Sequence, residues 1–411
     1  MKEFQSIPLY DDVFKQNPHQ TNHRLVSQSP IHRIQFPNGI LGWLITGHEA
    51  AIQTFSHPGL SKQPALSNPR SHALALVTGE PQPSLMQAHL LNQDPPKHTA
   101  MRNLIAPAFA ASRIEGFRKS ITRHVNRLLD QICDNGQADL IAEFAAKLPM
   151  PVLAEVIGLS EAHRDQFKSS WRKATISTGA TSTERSAYIA VLVEVNNYVN
   201  QLISESRGGN PASLIVRLVA AHDADKLDGD ELRAILFQLL TAGQEPVTNQ
   251  IGNAILALLQ NPEQLQNLRK KRSVDATALS ELLRYGSAYE LTSWRFFSEE
   301  GHLFGATIAP TEGVIISLNA ANRDPKRFRC PHLLTLERTD NAPLNFGYDH
   351  HYCPAASLVK LQVEISVQHV IERLPNLRLA TATPKLNFVS PPSSHGLRKL
   401  PVMFGPLVRK K

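Results

Sequence analysis

The chain has 411 residues, 42% hydrophobic and 19% charged, which suffices to bury a large core and on length alone allows two or three domains. Forty-three Lys and Arg against thirty-six Asp and Glu leave +7, spread along the chain apart from the tail Arg409-Lys410-Lys411, and so diffuse an excess argues against nucleic-acid binding. Three cysteines, Cys133, Cys330 and Cys353, offer neither a disulfide framework nor zinc-ligand spacing and point to reducing cytosol. No Gly/Ser linker, repeat or low-complexity block interrupts the sequence, so residues 1–411 read as one domain. The first thirty residues carry charges, histidines and prolines without an apolar h-region or membrane span, and no membrane anchor is expected.

In chain order, residues 31–47 predict a small hairpin around Pro37-Asn38-Gly39. Residues 62–93 are rich in Pro, Ser, Asn and Gly yet keep Leu74, Leu76, Val77, Leu85 and Met86; a long loop with apolar teeth is usually functional. Helical patterns dominate 97–260 and 354–374, with short strands at 303–318 and in the last thirty residues, so the fold class is mainly α with a minor β part. His98 and Arg102, four apart, share one face of a helix starting near Pro96. Asp228-Gly229-Asp230-Glu231 reads as a capping box opening a helix that runs through Leu236, Leu239, Leu240 and Gly243 to Leu259. Within it Pro246 lacks an N–H and clashes with the carbonyl four residues back, Ala242, which predicts a kink and a carbonyl left to water. Glu281 and Arg284, three apart on a helix, are expected to pair with Arg323 as a buried ion network, and Arg295 falls in a strand after Ser293-Trp294.

Cys353 is the most telling residue. It ends the turn-rich run Phe346-Gly347-Tyr348-Asp349-His350-His351-Tyr352 and is followed by Pro354, which suits the first turn of a helix. A sulfur there faces unpaired N–H groups and the positive end of a helix dipole, which favours thiolate over thiol. A lone cysteine is otherwise a small buried hydrophobe. A thiolate on a rigid loop, with no second cysteine nearby, is what a single-ligand iron site requires.

This loop resembles the haem-binding loop of the cytochrome P-450 family, Phe-Gly-x-Gly-x-His/Arg-x-Cys-x-Gly. Phe346, Gly347, His351 and Cys353 match, while Asp349 and Ala355 stand where the family usually has glycine. Four further landmarks follow the family's order: Asp94-Pro95-Pro96-Lys97-His98-Thr99 leading to Arg102, Ala242-Gly243-Gln244-Glu245, Glu281-Leu282-Leu283-Arg284, and Asn322-Arg323-Asp324-Pro325. The resemblance covers essentially the whole chain and implies a soluble, bacterial-type haem-thiolate fold. It implies haem b (iron protoporphyrin IX) with Cys353 as axial iron ligand and Phe346 and Gly243 as cofactor contacts. His98, Arg102, Arg295 and His351 would bind the propionates. Dioxygen would be co-substrate, with electrons from NAD(P)H through a ferredoxin or flavodoxin and a small organic molecule as substrate. Lys326, Arg327, Arg329 and Lys360 would form a patch steering that acidic donor.

One departure matters. The family follows an acid with a threonine that delivers protons during dioxygen activation; here Glu245, a candidate catalytic acid, is followed by Pro246. Thr248 does not replace that threonine, since two residues turn the helix by about 200°. The implied activity is a monooxygenase or oxidase of secondary metabolism, shifted toward coupling, ring formation or desaturation. The competing readings are a non-catalytic helper subunit of this family or a haem sensor. Pocket lining is expected from 62–93, 236–247, 287–294 and 389–397.

Overall fold

A computed structural model of the chain describes residues 5–6, 12–35, 41–63, 66, 88–160, 163–164, 182–310, 312–381, 386–389 and 393–405. Helices α1 (Lys97–Ile105), α2 (Arg118–Asp130), α3 (Ser182–Ser206), α4 (Gly229–Ala242), α5 (Glu245–Gln260), α6 (Ala276–Tyr285) and α7 (Ala356–Arg373) build most of the site's surroundings. From Ile251 to Leu258 α5 is apolar on several faces, as is the length of α7, so both are buried: Ile251, Ala254, Ile255 and Leu258 on one, Leu361, Val363, Val367 and Val370 on the other. The two helices pack on each other, and α7 also packs on α2. Among the described residues no helix is long and apolar enough to cross a membrane.

The minor β part is as the sequence implies, with one addition. β1 (Gln5–Ser6), β2 (Ile31–Gln35), β3 (Leu41–Ile45), β4 (Leu60–Ser61), β5 (Arg295–Phe297) and β6 (Gly313–Ile316) form one sheet in the order β1-β2-β3-β6-β5-β4. β2 and β3 pair antiparallel from Ile31↔Ile45 to Gln35↔Leu41, as the hairpin requires; its turn Pro37-Asn38-Gly39 lies outside the described residues. Also outside are the apolar teeth of the 62–93 loop and the basic tail. Gly301–Leu303 pairs with Ala306–Ile308, and Arg378–Leu379 with Pro401–Met403. The addition is Gln137–Asp139, which pairs with Pro401–Met403 inside a stretch whose periodicity reads as helical. Its partner comes from the far end of the chain, which local pattern does not register.

Two glycines in adjacent strands set where Arg295 sits. A Cβ on Gly313 would lie 2.4 Å from Trp294 Cε3, and one on Gly42 would lie 2.9 Å from Trp294 Cζ3. The indole lies in that gap and fixes the strand that presents Arg295.

The capping box forms as read: Glu231 N–H donates to Asp228 Oδ1 at 2.7 Å and Asp228 N–H to Glu231 Oε2 at 2.9 Å. The single kinked helix does not. α4 stops at Ala242, Gly243 and Gln244 have φ, ψ of −84°, −3° and −111°, −70°, and α5 starts anew with Pro246 in its first turn. There the missing N–H is harmless and the proline ring has no preceding helical carbonyl to strike. The chain relieves the clash by restarting the helix.

Glu281 and Arg284 pair at 2.7 Å, both fully buried, but the second cation on Glu281 is Arg338 at 3.0 Å. This corrects the expected Arg323 partnership. Arg323 gives its guanidinium instead to the carbonyls of Tyr285 (2.7 Å) and Pro331 (3.3 Å) and lies over the Tyr285 ring. Arg284 continues to the carbonyls of Asn322 and Pro331, both at 2.9 Å. Asn322 Oδ1 accepts Leu344 N–H at 2.7 Å, its Nδ2 donates to Asn345 Oδ1, and Asn345 donates to Leu283 O. Asn345 directly precedes the Cys353 loop. Glu281→Ala strands two buried guanidinium groups and is expected to cost about 3–5 kcal/mol of stability, read as a lower urea midpoint; an unchanged midpoint contradicts the network's role.

Candidate functional site

A cavity of about 590 Å³ opens among α1, the α4–α5 break, the segment before β5, and the Cys353 loop with the start of α7. Cys353, His98, Arg102, Arg295, His351, Phe346 and Gly243 all line it, although they come from four separate stretches of sequence. Each expected pocket segment contributes: Leu90 and Leu91 from 62–93, Gln238, Leu239 and Val247 among others from 236–247, Ala288, Tyr289 and Leu291 to Trp294 from 287–294, and Ser393 from 389–397. Glu245 is not among the lining residues; its Oε1 accepts Asn249 Nδ2 at 3.5 Å, a contact along its own helix.

The Cys353 loop is built by backbone conformation. Gly347 has φ +76°, which favours glycine, and its N–H donates to Leu344 O at 3.0 Å. Asp349 has φ +57°, which explains why glycine is usual there and why aspartate, tolerant of the left-handed region, replaces it. Ala355, at φ −92°, makes no such demand. Cys353 N–H donates to Phe346 O at 2.8 Å, closing the loop, and Lys360 Nζ lies 5.4 Å from the Phe346 ring centroid.

Burial raises the pKa of the Cys353 thiol; the Ala355 N–H and the Arg102 and Lys360 charges oppose it and do not prevail. The thiolate expected from the helix dipole is therefore not favoured by the polypeptide alone. The helix contributes little against burial, because α7 starts only at Ala356.

Opposite charges surround the rest of the cavity unevenly. The His98 and His351 rings are 4.2 Å apart, and both ring nitrogens of His98 are buried without a partner. Arg295 is 4% exposed, stacks 4.7 Å from the Phe55 centroid, and has only long contacts to Thr292 Oγ1 (3.5 Å) and Ser293 O (3.4 Å). Burial pushes it down to about 10, with Asp94 the opposing charge. Burial, then His98, Lys62, Arg295 and Arg102, push His351 down to about 2. Lys62, which the sequence reading missed, is buried and donates to Ser293 Oγ at 2.5 Å and Trp294 O at 2.7 Å. Its pKa is driven well down by burial and Arg295, against Asp94. Nothing local to Leu60-Ser61-Lys62 announces this role, because its partners come from residues 293–294.

Lys62 and Arg295 thus share a low-dielectric region in which Asp94 is the opposing carboxylate, and the half-buried Arg102 stands at the same cavity. A ligand bringing two carboxylates would balance that excess, and a single sulfur ligand lines the same cavity. The donor set fits a haem. No cluster of three His, Cys, Asp or Glu able to hold a metal ion occurs among the described residues.

As the helical geometry predicts, Thr248 turns away: its hydroxyl donates to Gln244 O at 3.1 Å and Ala145 O at 3.4 Å. Of the basic patch, Lys326, Arg329 and Lys360 are exposed, and Arg327 lies 4.0 Å from Asp340.

No family model matches the chain. It is 34% identical to cytochrome P-450 107B1 of Saccharopolyspora erythraea, over 98% of this chain and 99% of that protein. It is 32% identical to the cytochrome P-450 monooxygenase PikC of Streptomyces venezuelae, over 95% and 92%. Among solved structures, myxobacterial cytochrome P-450 CYP267B1 in complex with myristic acid superposes with a TM-score of 0.90 at 29% identity, over 97% and 98% of the chains. CxnD, a cytochrome P-450 enzyme for C–S bond formation in chuangxinmycin biosynthesis, gives 0.88 at 30% identity, over 99% and 100%.

The wall at Ala288 is held from behind by His395, whose N–H donates to Ala288 O at 2.8 Å and whose ring stacks on Phe388. Burial, then Lys15 and Arg323, push this imidazole from 6.5 down to about 3. Below its ordinary value the unfolded chain takes up a proton that the folded chain refuses. Stability should therefore fall with pH through the window from 6.5 toward 3, by at most about 1.4 kcal/mol per pH unit from this group. Urea unfolding at several pH values in that window should show a shallower loss in His395→Phe than in the native chain; equal slopes refute the assignment.

Proposed function

The chain belongs to the cytochrome P-450 family and is a P-450-type monooxygenase; we propose that it holds haem b through Cys353 in one haem-binding domain and oxidises a small organic molecule in a biosynthetic pathway. The observation that carries this reading is a lone sulfur lining one cavity with Arg102 and Arg295, beside Lys62, cations that a single carboxylate leaves unbalanced. Arg102, Arg295, His98 and His351 would bind the propionates, and Lys62 would brace the segment carrying Arg295. Once bound, haem supplies dioxygen activation, with thiolate donation favouring O–O cleavage.

The chain's own tasks are positioning, sealing and proton supply. The Cys353 N–H to Phe346 O bond fixes the sulfur's aim. Leu239, Val247 and Leu291 line the cavity and exclude water. Pro246 presents no hydroxyl and Thr248 spends its own on backbone carbonyls, so neither holds a proton at the cavity. Glu245, half-buried beside Asn249, would anchor water at the helix break. Electrons would arrive from NAD(P)H through a ferredoxin or flavodoxin on the side of Lys360, whose charge reaches Cys353.

The missing hydroxyl favours reactions that depend on it least: C–C or C–heteroatom coupling, ring formation or desaturation. Cys353→Ser is expected to abolish the thiolate-type Soret band of the reduced carbon monoxide complex; an unchanged band removes the ligand assignment. With a true substrate, peroxide release should be low and the product coupled, cyclised or desaturated. Tightly coupled hydroxylation of a substrate that has no hydroxyl or carboxyl of its own overturns the reaction type.

A further inference from the structure

Four residues with side-chain hydroxyls line the cavity: Tyr289, Thr292, Ser293 and Ser393. Two are committed. Thr292 Oγ1 donates to Ser293 O at 3.0 Å and accepts Ile316 N–H at 3.1 Å, and Ser293 Oγ accepts Lys62 Nζ at 2.5 Å. The hydroxyls of Tyr289 and Ser393 have no hydrogen-bond partner among the described residues.

Tyr289 stands on a fixed backbone. Its carbonyl accepts Ser287 Oγ at 2.9 Å, and it bridges to Ser394. Its neighbour Glu290 is fully buried, accepts Asn22 at 3.1 Å and Asn319 at 2.5 Å, and donates its N–H to Ser393 O at 2.9 Å. A phenol has only two side-chain torsions, so a fixed backbone goes far toward fixing the hydroxyl. A half-buried phenol at the cavity wall with no protein partner keeps its donor free for a ligand oxygen in the cavity. We propose that Tyr289 is the protein's hydrogen-bond donor to oxygen atoms held in this cavity, in place of the hydroxyl that Pro246 cannot supply. The inference rests on the haem-thiolate reading above.

Burial raises the phenol's pKa, and the charges of Cys353 and Glu245 raise it further. The group therefore stays a donor at neutral pH and lies within electrostatic reach of both the sulfur and the acid. Gln238, on the cavity face of α4, is the competing donor, because its side-chain amide likewise has no partner among the described residues.

The infrared C–O stretch of the ferrous carbon monoxide complex tests this in the native holoenzyme, Tyr289→Phe and Gln238→Leu. Loss of a donor to the bound diatomic raises the stretch, so Tyr289→Phe should move it to higher frequency and Gln238→Leu should leave it in place. No movement in Tyr289→Phe, or an equal movement in Gln238→Leu, overturns the assignment. Should Tyr289→Phe fail to bind haem, Gln238→Leu decides: a stretch that still shifts between H2O and D2O without the Gln238 amide supports Tyr289, and a band unshifted in the native protein or in Gln238→Leu refutes the proposal. The Soret position of the same samples separates the two failures. A native complex without the thiolate-type band defeats the haem-thiolate reading and this inference together, whereas that band with an immobile stretch defeats Tyr289 alone.

Discussion

Glu281 has no exposed surface, and the geometry of the site depends on it. Its two oxygens take Arg284 and Arg338 as well as Thr335 N–H at 3.0 Å and Asn341 Nδ2 at 3.1 Å. A buried carboxylate is tolerable only when so fully satisfied, and the same bonds make the surrounding loops rigid. Arg284 carries the order to Asn322, Asn322 to Leu344 and Asn345, and the chain then enters the Cys353 loop. The sulfur is thus aimed by a carboxylate it never touches.

The cavity is completed by a contrast in charge. On the loop stand one sulfur, the Phe346 ring and His351; around the segment before β5 stand Lys62 and Arg295. Burial pushes all three bases toward their neutral forms, and Arg295 pushes Lys62 and His351 further. Such a cluster is unfavourable alone and favourable around a dianion, so the fold withholds part of its stabilisation until an anionic cofactor is in place. Trp294, lodged against Gly42 and Gly313, makes that arrangement a property of the sheet as much as of the helices.

The α4–α5 break links these two parts. Pro246 starts a helix where a continuous one would have run, leaving Ala242, Gly243 and Pro246 on the cavity wall while Thr248 faces the backbone of Ala145. Gly243 is held close, since a Cβ there would meet Leu153 at 2.6 Å. No hydroxyl of α5 serves this wall; the polar side chains that line it nearby include Gln238 of α4 and Tyr289, Thr292 and Ser293 before β5.

Sequence alone determined whatever depends on neighbours within one turn: the Asp228–Glu231 cap, the shared face of His98 and Arg102, the averted Thr248, and a turn-rich loop delivering Cys353 to a helix. Short-range sterics and hydrogen bonds decide these, and they are written in adjacent residues. The family motif added which of those residues would meet in one cavity. Tertiary structure alone decided that Arg338 and not Arg323 partners Glu281, that the predicted kink becomes a restart, and that Lys62 joins the cations. It also decided that burial outweighs the helix dipole at the sulfur and that Tyr289 lines the cavity. In each case the deciding partner, or the burial itself, comes from segments far apart in the chain, and desolvation by distant segments has no signature in local order.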